Sequence, residues 1–343
     1  MEKDSAETSP INKTFSLNQF GSIRIFTAED IRQLLTMHEA IELMAKAFKG
    51  LSEEQYYIPL RYVTEIPGNK LSLIFKPAVD YKSERLAIKI LTQNDSNSIS
   101  GLPSIMGMVM LLDADTGLLL ALMDGSHITD IRTGAASGIA TKMLARQDSK
   151  VAAIFGCGAQ GRTQLEAVLS VRSLSRVYAF DTNPQSLKVF IEEMKGRFMI
   201  DIQACDDKNV LSEVDIICTA TGSESPLFER KHIKPGVHIN AIGSYKPFMQ
   251  EIDPYIIRDS RLFVDSINPC LTESGDIIKP VKMGIIREDH IMGEIGEVIT
   301  GKKTGRSSEN DITIFKSVGV AIQDLVVANH LYDRAMPEKN INT

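Results

Sequence analysis

The chain contains no tryptophan, and its four cysteines (Cys157, Cys205, Cys218 and Cys270) are scattered, with no C-x-x-C pair and no histidine at ligand spacing. This leaves out the usual patterns of a zinc site or a dithiol redox centre and predicts buried free thiols, so no metal is expected. Long apolar runs are missing as well: no stretch approaches the roughly 20 residues that span a bilayer, and the opening MEKDSAETSPINKT has no signal-peptide core. Basic excess is also absent. With 44 acidic against 38 basic residues and no Lys/Arg run, neither nucleic acid nor an anionic membrane is an expected partner. The composition points to a cytoplasmic globular protein, and 343 residues are enough for two domains.

What is present centres on Val151–Asp181. An apolar run, Val151 to Phe155, reads as a buried strand; Gly156, Gly158 and Gly161 form G-x-G-x-x-G, with Cys157, Ala159 and Gln160 between them; and a helical pattern follows. A second apolar run then ends on Asp181, twenty residues beyond Gly161. In a dinucleotide site Gly156 allows the tight turn, Gly158 admits the pyrophosphate and Gly161 lets the helix pack on the strand. The helix N-terminus faces the phosphates. Asp181 can accept from both ribose hydroxyls and would repel a 2′-phosphate, so NAD(H) is favoured over NADP(H).

The remainder of the chain falls into two patterns. Residues 1–21 read as a flexible tail, and Thr27–Asp30 and Thr36–Glu39 each open a helix with a capping box. From Leu60 to Met123, short β-rich runs separated by turns such as Pro67-Gly68-Asn69 predict a mostly antiparallel sheet. Met106, Met108 and Met110 alternate as one packed face. A helix is expected to open at Asp130, putting Arg132 in its first turn, where the helix dipole opposes a cation and favours a bound anion. Beyond Asp181 strand and helix alternate, giving a six-stranded doubly wound sheet, and a last helix is expected from Ile314 to Asp333.

A dinucleotide site needs a second substrate, and three cations stand out as holders of a small acid: Arg61, Arg132 and Lys89. Lys89 lies inside the apolar run Leu86–Leu91. Alternation sets it opposite Ile88 and Ile90, which on the residues alone favours a solvated lysine.

Eight short motifs occur in one order: Pro59-Leu-Arg61, Ala87-Ile-Lys89, Gly101-Leu-Pro103, Asp115-Thr-Gly117, Thr129-Asp-Ile-Arg-Thr133, Gly156–Gly161, Ile239-Asn-Ala-Ile-Gly243 and Phe315-Lys-Ser-Val-Gly319. Together they resemble the ornithine cyclodeaminase/mu-crystallin family from about Ser22 to Ala335. The resemblance implies an α/β architecture in which a Rossmann NAD(P)-binding domain (129–314) is inserted into a mixed α+β substrate-binding and dimerisation domain (22–128 and 315–343), and it implies a homodimer. It further implies that Arg61, Lys89 and Arg132 line the substrate pocket, which reverses the reading of Lys89. Ser317, Val318 and Gly319 would lie near the nicotinamide, and Thr133 near the phosphates; Thr221 is expected at the cofactor with them.

One position departs from the family. Cyclodeaminases carry an aspartate two residues after the Ile-Asn-Ala-Val-Gly motif, credited with acid/base work on the substrate amine; here that place is Tyr245. A phenol, with an ordinary pKa of about 10, is no substitute for a carboxylate base. The expected activity is therefore NAD(P)H-dependent reduction of a cyclic imino acid, Δ1-pyrroline-2-carboxylate or Δ1-piperideine-2-carboxylate, to proline or pipecolate. The alternatives are an ammonia-releasing ornithine or lysine cyclodeaminase, an alanine dehydrogenase or opine-type enzyme, and a non-catalytic mu-crystallin-like binding protein.

Overall fold

The computed structural model describes residues 14–17, 21–68, 71–94, 96–97, 101–103 and 105–336. Its strands are β1 (Thr14–Leu17), β2 (Gly21–Phe26), β3 (Tyr56–Tyr57), β4 (Tyr62–Glu65), β5 (Ser72–Asp80), β6 (Arg85–Gln93), β7 (Ile105–Asp113), β8 (Leu119–Asp124), β9 (Val151–Phe155), β10 (Arg176–Phe180), β11 (Asp201–Ala204), β12 (Ile216–Thr219), β13 (His238–Ala241), β14 (Ser260–Val264), β15 (Ile291–Glu294) and β16 (Ile312–Lys316). The helices are α1 (Ala28–Leu34), α2 (Met37–Ser52), α3 (Gly125–Leu144), α4 (Ala159–Val171), α5 (Pro184–Phe198), α6 (Pro254–Arg258), α7 (Ile267–Glu273), α8 (Gly275–Lys282), α9 (Ile295–Ile299) and α10 (Ala321–Ala335). None is long and apolar enough to cross a membrane, and no cluster of potential metal ligands occurs among the described residues.

Two compact units result. One takes the described residues up to Thr36, Gln55–Thr129 and those from Ala321 onward; the other takes Met37–Glu54 and Asp130–Val320. Two features differ from the expected boundaries. Helix α2 belongs with the second unit because its Phe48 meets Phe315 edge to face at 6.3 Å and its backbone closes on Gly296. The second unit also runs on to Val320.

The first unit is a sheet in the order β1-β2-β8-β7-β6-β5-β3, with β4 also on β5. Its pairings are antiparallel except β2 with β8. Strand β1 lies inside the segment expected to be a tail; the short alternation Thr-Phe-Ser-Leu suffices to pair it with β2. The rest of that tail, and Asn69 of the expected turn, lie outside the described residues. Helix α1 opens as its capping box predicts, Thr27 Oγ1 accepting the Asp30 N–H and the Asp30 carboxylate accepting the Thr27 N–H. Helix α10 covers one face of β5, β6 and β7. The other face is left uncovered by the described residues: Met106 and Met108 alternate as expected but are 39% and 45% exposed.

The second unit holds a parallel sheet in the order β11-β10-β9-β12-β13-β16-β14-β15. Alternate side chains of β9 enter two cores, Ala152 and Ile154 on one face and Ala153 and Phe155 on the other. A strand buried on both faces reads as a continuous apolar run. The same rule explains a correction: Ile312–Lys316, assigned in part to the last helix, is a strand between β13 and β14, and the helix starts only at Ala321. A fully buried strand abutting a helix carries no period of its own to mark the join.

On this sheet His238 faces Thr313, with Nδ1 3.0 Å from Thr313 Oγ1 and Nε2 3.2 Å from Asn240 Oδ1. Burial and the nearby Arg306 guanidinium push its pKa down to about 3. The native state thus refuses a proton that the unfolded chain takes up below about pH 6.5. Stability falls as pH drops from there toward 3, by about 1.4 kcal/mol per pH unit for this group. His238→Gln, compared with the parent by denaturant melts across that window, is expected to flatten the slope by one proton's worth; an unaltered slope contradicts this assignment.

Candidate active site

In the first unit, Ala87, Lys89, Leu91 and Gln93 of β6 are buried, whereas Leu86, Ile88, Ile90 and Thr92 on the opposite face are only half-buried. Lys89 is 1% exposed, so the solvated reading fails: the apolar neighbours face outward and the lysine faces inward. Its ammonium donates to Asp324 Oδ1 at 2.8 Å and to Thr129 Oγ1 at 3.2 Å, and it lies 2.8 Å from the second Asp324 oxygen. Asp324 comes from the first turn of α10. Sequence reasoning missed it, because no local pattern ties it to Lys89, 235 residues away.

It also missed Lys76. Strand β5 sets Lys76 directly opposite Lys89, and the side chain is 8% exposed. Directly opposed residues in an antiparallel ladder share a face. Half-buried Arg61 immediately precedes β4, whose ladder with β5 begins at Tyr62 opposite Phe75. Tyr62 and Phe75 pair their rings at 6.2 Å on the other face. Lys76 and Lys89 thus share one face of β5 and β6.

In the second unit the glycine loop joins β9 to α4. Gly156 has φ +93°, and a Cβ there would sit 2.4 Å from the Ala220 carbonyl. A Cβ on Gly161 would meet Gly156 O at 2.0 Å, so α4 approaches the strand as closely as a missing side chain permits. A Cβ on Gly158 meets nothing within 4 Å, and Gly158 caps α4 with no side-chain hydrogen bond. Ala159 and Gln160 lie in the first turn of α4, where helix N–H groups lack an intrahelical partner and suit an anion. Asp181 accepts from Cys157 N at 2.7 Å and Asn183 N at 2.8 Å, which fixes its carboxylate at the end of β10. Each oxygen retains a lone pair for a ribose hydroxyl. These residues fit a dinucleotide. Burial, with the Asp181 charge, pushes the Cys157 thiol up to about 12, so it stays protonated and is no nucleophile here.

Thr133 is buried, and its carbonyl accepts from Gln164 of α4 at 3.4 Å; Gln160 donates to Asp130 at 2.7 Å. Helix α3 begins at Gly125, not Asp130, because the Asp124 carboxylate accepts the His127 N–H at 2.7 Å. Arg132 is therefore past the first turn and the dipole argument does not apply to it. A different contact places it: a Cβ on Gly319 (φ +79°) would lie 2.7 Å from Arg132 Nη1. The guanidinium lies against the loop Ser317-Val318-Gly319.

That loop is held by a residue the sequence reading passed over. Asp265, fully buried after β14, accepts from Ser317 Oγ at 2.6 Å, Val318 N at 3.0 Å and Gly319 N at 2.7 Å. Glu251, also fully buried, ties the ends of β12 and β13 together, accepting from Thr219 Oγ1, Thr221 N, Thr221 Oγ1 and Gly243 N within 2.8 Å. Burial and the charge of Asp276 raise its pKa. Tyr245 is partly buried against the core of this unit.

A family model described as the ornithine cyclodeaminase/mu-crystallin family matches residues 23–339. A Δ1-pyrroline-2-carboxylate reductase of Bacillus cereus is 37% identical over 314 residues, 91% of this chain and 96% of its own. The solved Δ1-pyrroline-2-carboxylate reductase of Thermococcus litoralis, in complex with NADH and L-proline, superposes with a TM-score of 0.88 at 40% identity, covering 91% of this chain and 97% of that one. An archaeal alanine dehydrogenase dimer with bound NAD gives 0.85 at 35% identity, covering 91% and 95%.

Proposed function

The chain belongs to the ornithine cyclodeaminase/mu-crystallin family, and from that premise we propose that it reduces Δ1-pyrroline-2-carboxylate to L-proline with NADH. The ring homologue Δ1-piperideine-2-carboxylate is reduced to pipecolate by the same chemistry. The observation that carries this reading is the buried lysine of β6: an ammonium 1% exposed, held in place by Asp324 and Thr129. Buried cations are rare unless partnered or used. The 37% identity to a reductase over 91% of the chain supports the same choice of substrate. Tyr245, standing where cyclodeaminases carry a carboxylate, favours net reduction over deaminating cyclisation.

We assign the substrate carboxylate to Arg61 and Arg132, with Lys89 next to the imine nitrogen. When bound, NADH supplies a hydride. Lys89 gives its proton to the imine nitrogen as C2 takes the hydride; the C=N bond becomes a single bond, and solvent returns the proton to Lys89. Asp324 and Thr129 orient the Nζ for this transfer. Asp265 shapes the 317–319 loop against which Arg132 rests. Gly156, Gly158, Ala159, Gln160 and Gly161 hold the pyrophosphate, Asp181 the ribose, and Thr133, Thr221, Ser317, Val318 and Gly319 complete the cofactor site. NADH consumption with the two cyclic imines tests the reaction, read beside ammonia release from L-ornithine with NAD.

We further propose a homodimer built on the outer face of the first unit's sheet. Ile88, Ile90, Met106, Met108 and Met110 form an apolar surface there that the described residues leave uncovered. Patches of this kind mark interfaces. Met108→Asp is expected to shift the protein from dimer to monomer in light scattering; a variant that stays dimeric places the interface elsewhere.

A further inference from the structure

Glu251 has no task in the reaction as written, yet it is a fully buried carboxylate whose donors all stand at the carboxyl ends of two neighbouring strands. One oxygen, Oε1, accepts from the Thr221 N–H at 2.7 Å and the Thr221 hydroxyl at 2.8 Å. The other, Oε2, accepts from the Thr219 hydroxyl at 2.8 Å and the Gly243 N–H at 2.7 Å. These donors favour the ionised form that burial and the Asp276 charge oppose. Joining the strands does not call for them: β12 and β13 already pair from Ile216 opposite His238 to Thr219 opposite Ala241, and Thr219 O accepts the Ile242 N–H beyond the last pair. What the carboxylate adds is a hold on Thr221, which lies past the end of β12. A Cβ on Gly243 would sit 2.4 Å from Glu251 Oε1 and 2.5 Å from Thr221 N, so the glycine is what admits this contact. The Glu251 main chain is fixed in turn: its N–H donates to Asp276 Oδ1 at 2.7 Å, and Asp276 Oδ2 pairs with fully buried Lys316 at 3.1 Å.

The direction of the Thr221 bond has a chemical consequence. A carboxylate only accepts, so the Thr221 hydroxyl gives its one proton to the bond with Glu251. One of its lone pairs takes the Ser223 N–H at 3.2 Å, and the other is left to accept from a ligand. Thr221 is half-buried and borders the glycine loop, its methyl carbon 3.2 Å from where a Gly156 Cβ would be. The sheet winds from β9 through β10 to β11 on one side and from β12 to β13 on the other. A dinucleotide crosses such a reversal point, so with Asp181 of β10 on the adenosine ribose, the half beyond the pyrophosphate reaches β12. We infer that Glu251 is a positioning residue for the nicotinamide half of the cofactor, holding Thr221 as a hydrogen-bond acceptor toward the nicotinamide riboside. The inference rests on the assignment of the glycine loop and Asp181 to NADH.

Calorimetric titration with NADH and with ADP tests it, since ADP keeps the adenosine and both phosphates but lacks the nicotinamide riboside. Glu251→Gln keeps the side-chain volume but turns an NH2 group toward one pair of donors. It is expected to raise Kd for NADH about tenfold and to leave Kd for ADP within about twofold of the parent. Thr221→Val is expected to do the same, Thr221→Ser to retain parental affinity, and Glu251→Gln combined with Thr221→Val to bind NADH no more weakly than Thr221→Val alone, because both act through one hydroxyl. Unchanged NADH affinity in Glu251→Gln overturns the inference, as does additivity of the two substitutions. Equal weakening of NADH and ADP overturns it too, that being the result of a merely structural role. Should Glu251→Gln fail to fold, Thr221 still decides: a Thr221→Val protein that binds NADH as tightly as the parent leaves Glu251 nothing to position. If the unaltered protein binds neither NADH nor ADP, the reading of the cofactor site falls, and the inference with it.

Discussion

Replacing Lys89 with methionine is expected to lower kcat/KM for Δ1-pyrroline-2-carboxylate by about a thousandfold, since it removes both the charge beside the imine and the proton donor. Methionine matches the length of the lysine stem, so the strand stays filled. The loss is expected mostly in kcat, because the arginines still hold the carboxylate while the group that acts during hydride transfer is gone. Part of the effect has another source: Asp324, with a side chain 2% exposed, loses the partner that sits 2.8 Å from its carboxylate. Loss of an ion pair by a buried charge is destabilising. Two measurements separate these effects. Asp324→Asn in the Lys89→Met background restores thermal stability without restoring turnover, and NADH affinity, which depends on the glycine loop and Asp181, stays within about threefold of the parent. Turnover surviving in Lys89→Met would remove Lys89 from the chemistry.

The second large effect concerns the cofactor. Asp181→Ser is expected to reduce the preference for NADH over NADPH by about a hundredfold, combining loss of charge-assisted bonds to the ribose (about 1.5–3 kcal/mol each) with relief of repulsion toward a 2′-phosphate. The carboxylate is pre-set for this task by the N–H groups of Cys157 and Asn183 at 2.7 and 2.8 Å. Steady-state kinetics with both cofactors read the ratio directly. An unchanged ratio would mean that discrimination resides elsewhere.

The motif we assign to the cofactor was legible because it is local. Strand, glycine turn, helix and terminal carboxylate lie within Val151–Asp181, and each residue's reason, such as a Cβ on Gly161 striking Gly156 O, operates across a few positions. The residues we assign to the substrate stood out together only through resemblance. Whether Lys89 points inward depends on which sheet face α10 covers, and β6 alone, apolar on both faces, does not specify that. Lys76 becomes meaningful only once register sets it opposite Lys89, and Asp324 only once α10 returns across 235 residues. Asp265 offered a faint signal, a carboxylate closing the apolar run Leu262–Val264, much as Asp181 closes its own strand. The start of α3 was misplaced because Asp124 was not recognised as the residue accepting the His127 N–H. The Ile312–Lys316 strand merged with the helix after it because a run buried on both faces lacks alternation.

The most direct test of the central claim is a single comparison on the purified protein: NADH oxidation with Δ1-pyrroline-2-carboxylate, and ammonia release from L-ornithine with NAD. The account predicts NADH consumed in step with L-proline formed, and no ammonia from ornithine. Ammonia released from ornithine without accumulation of NADH, with the imine left unreduced, would contradict it.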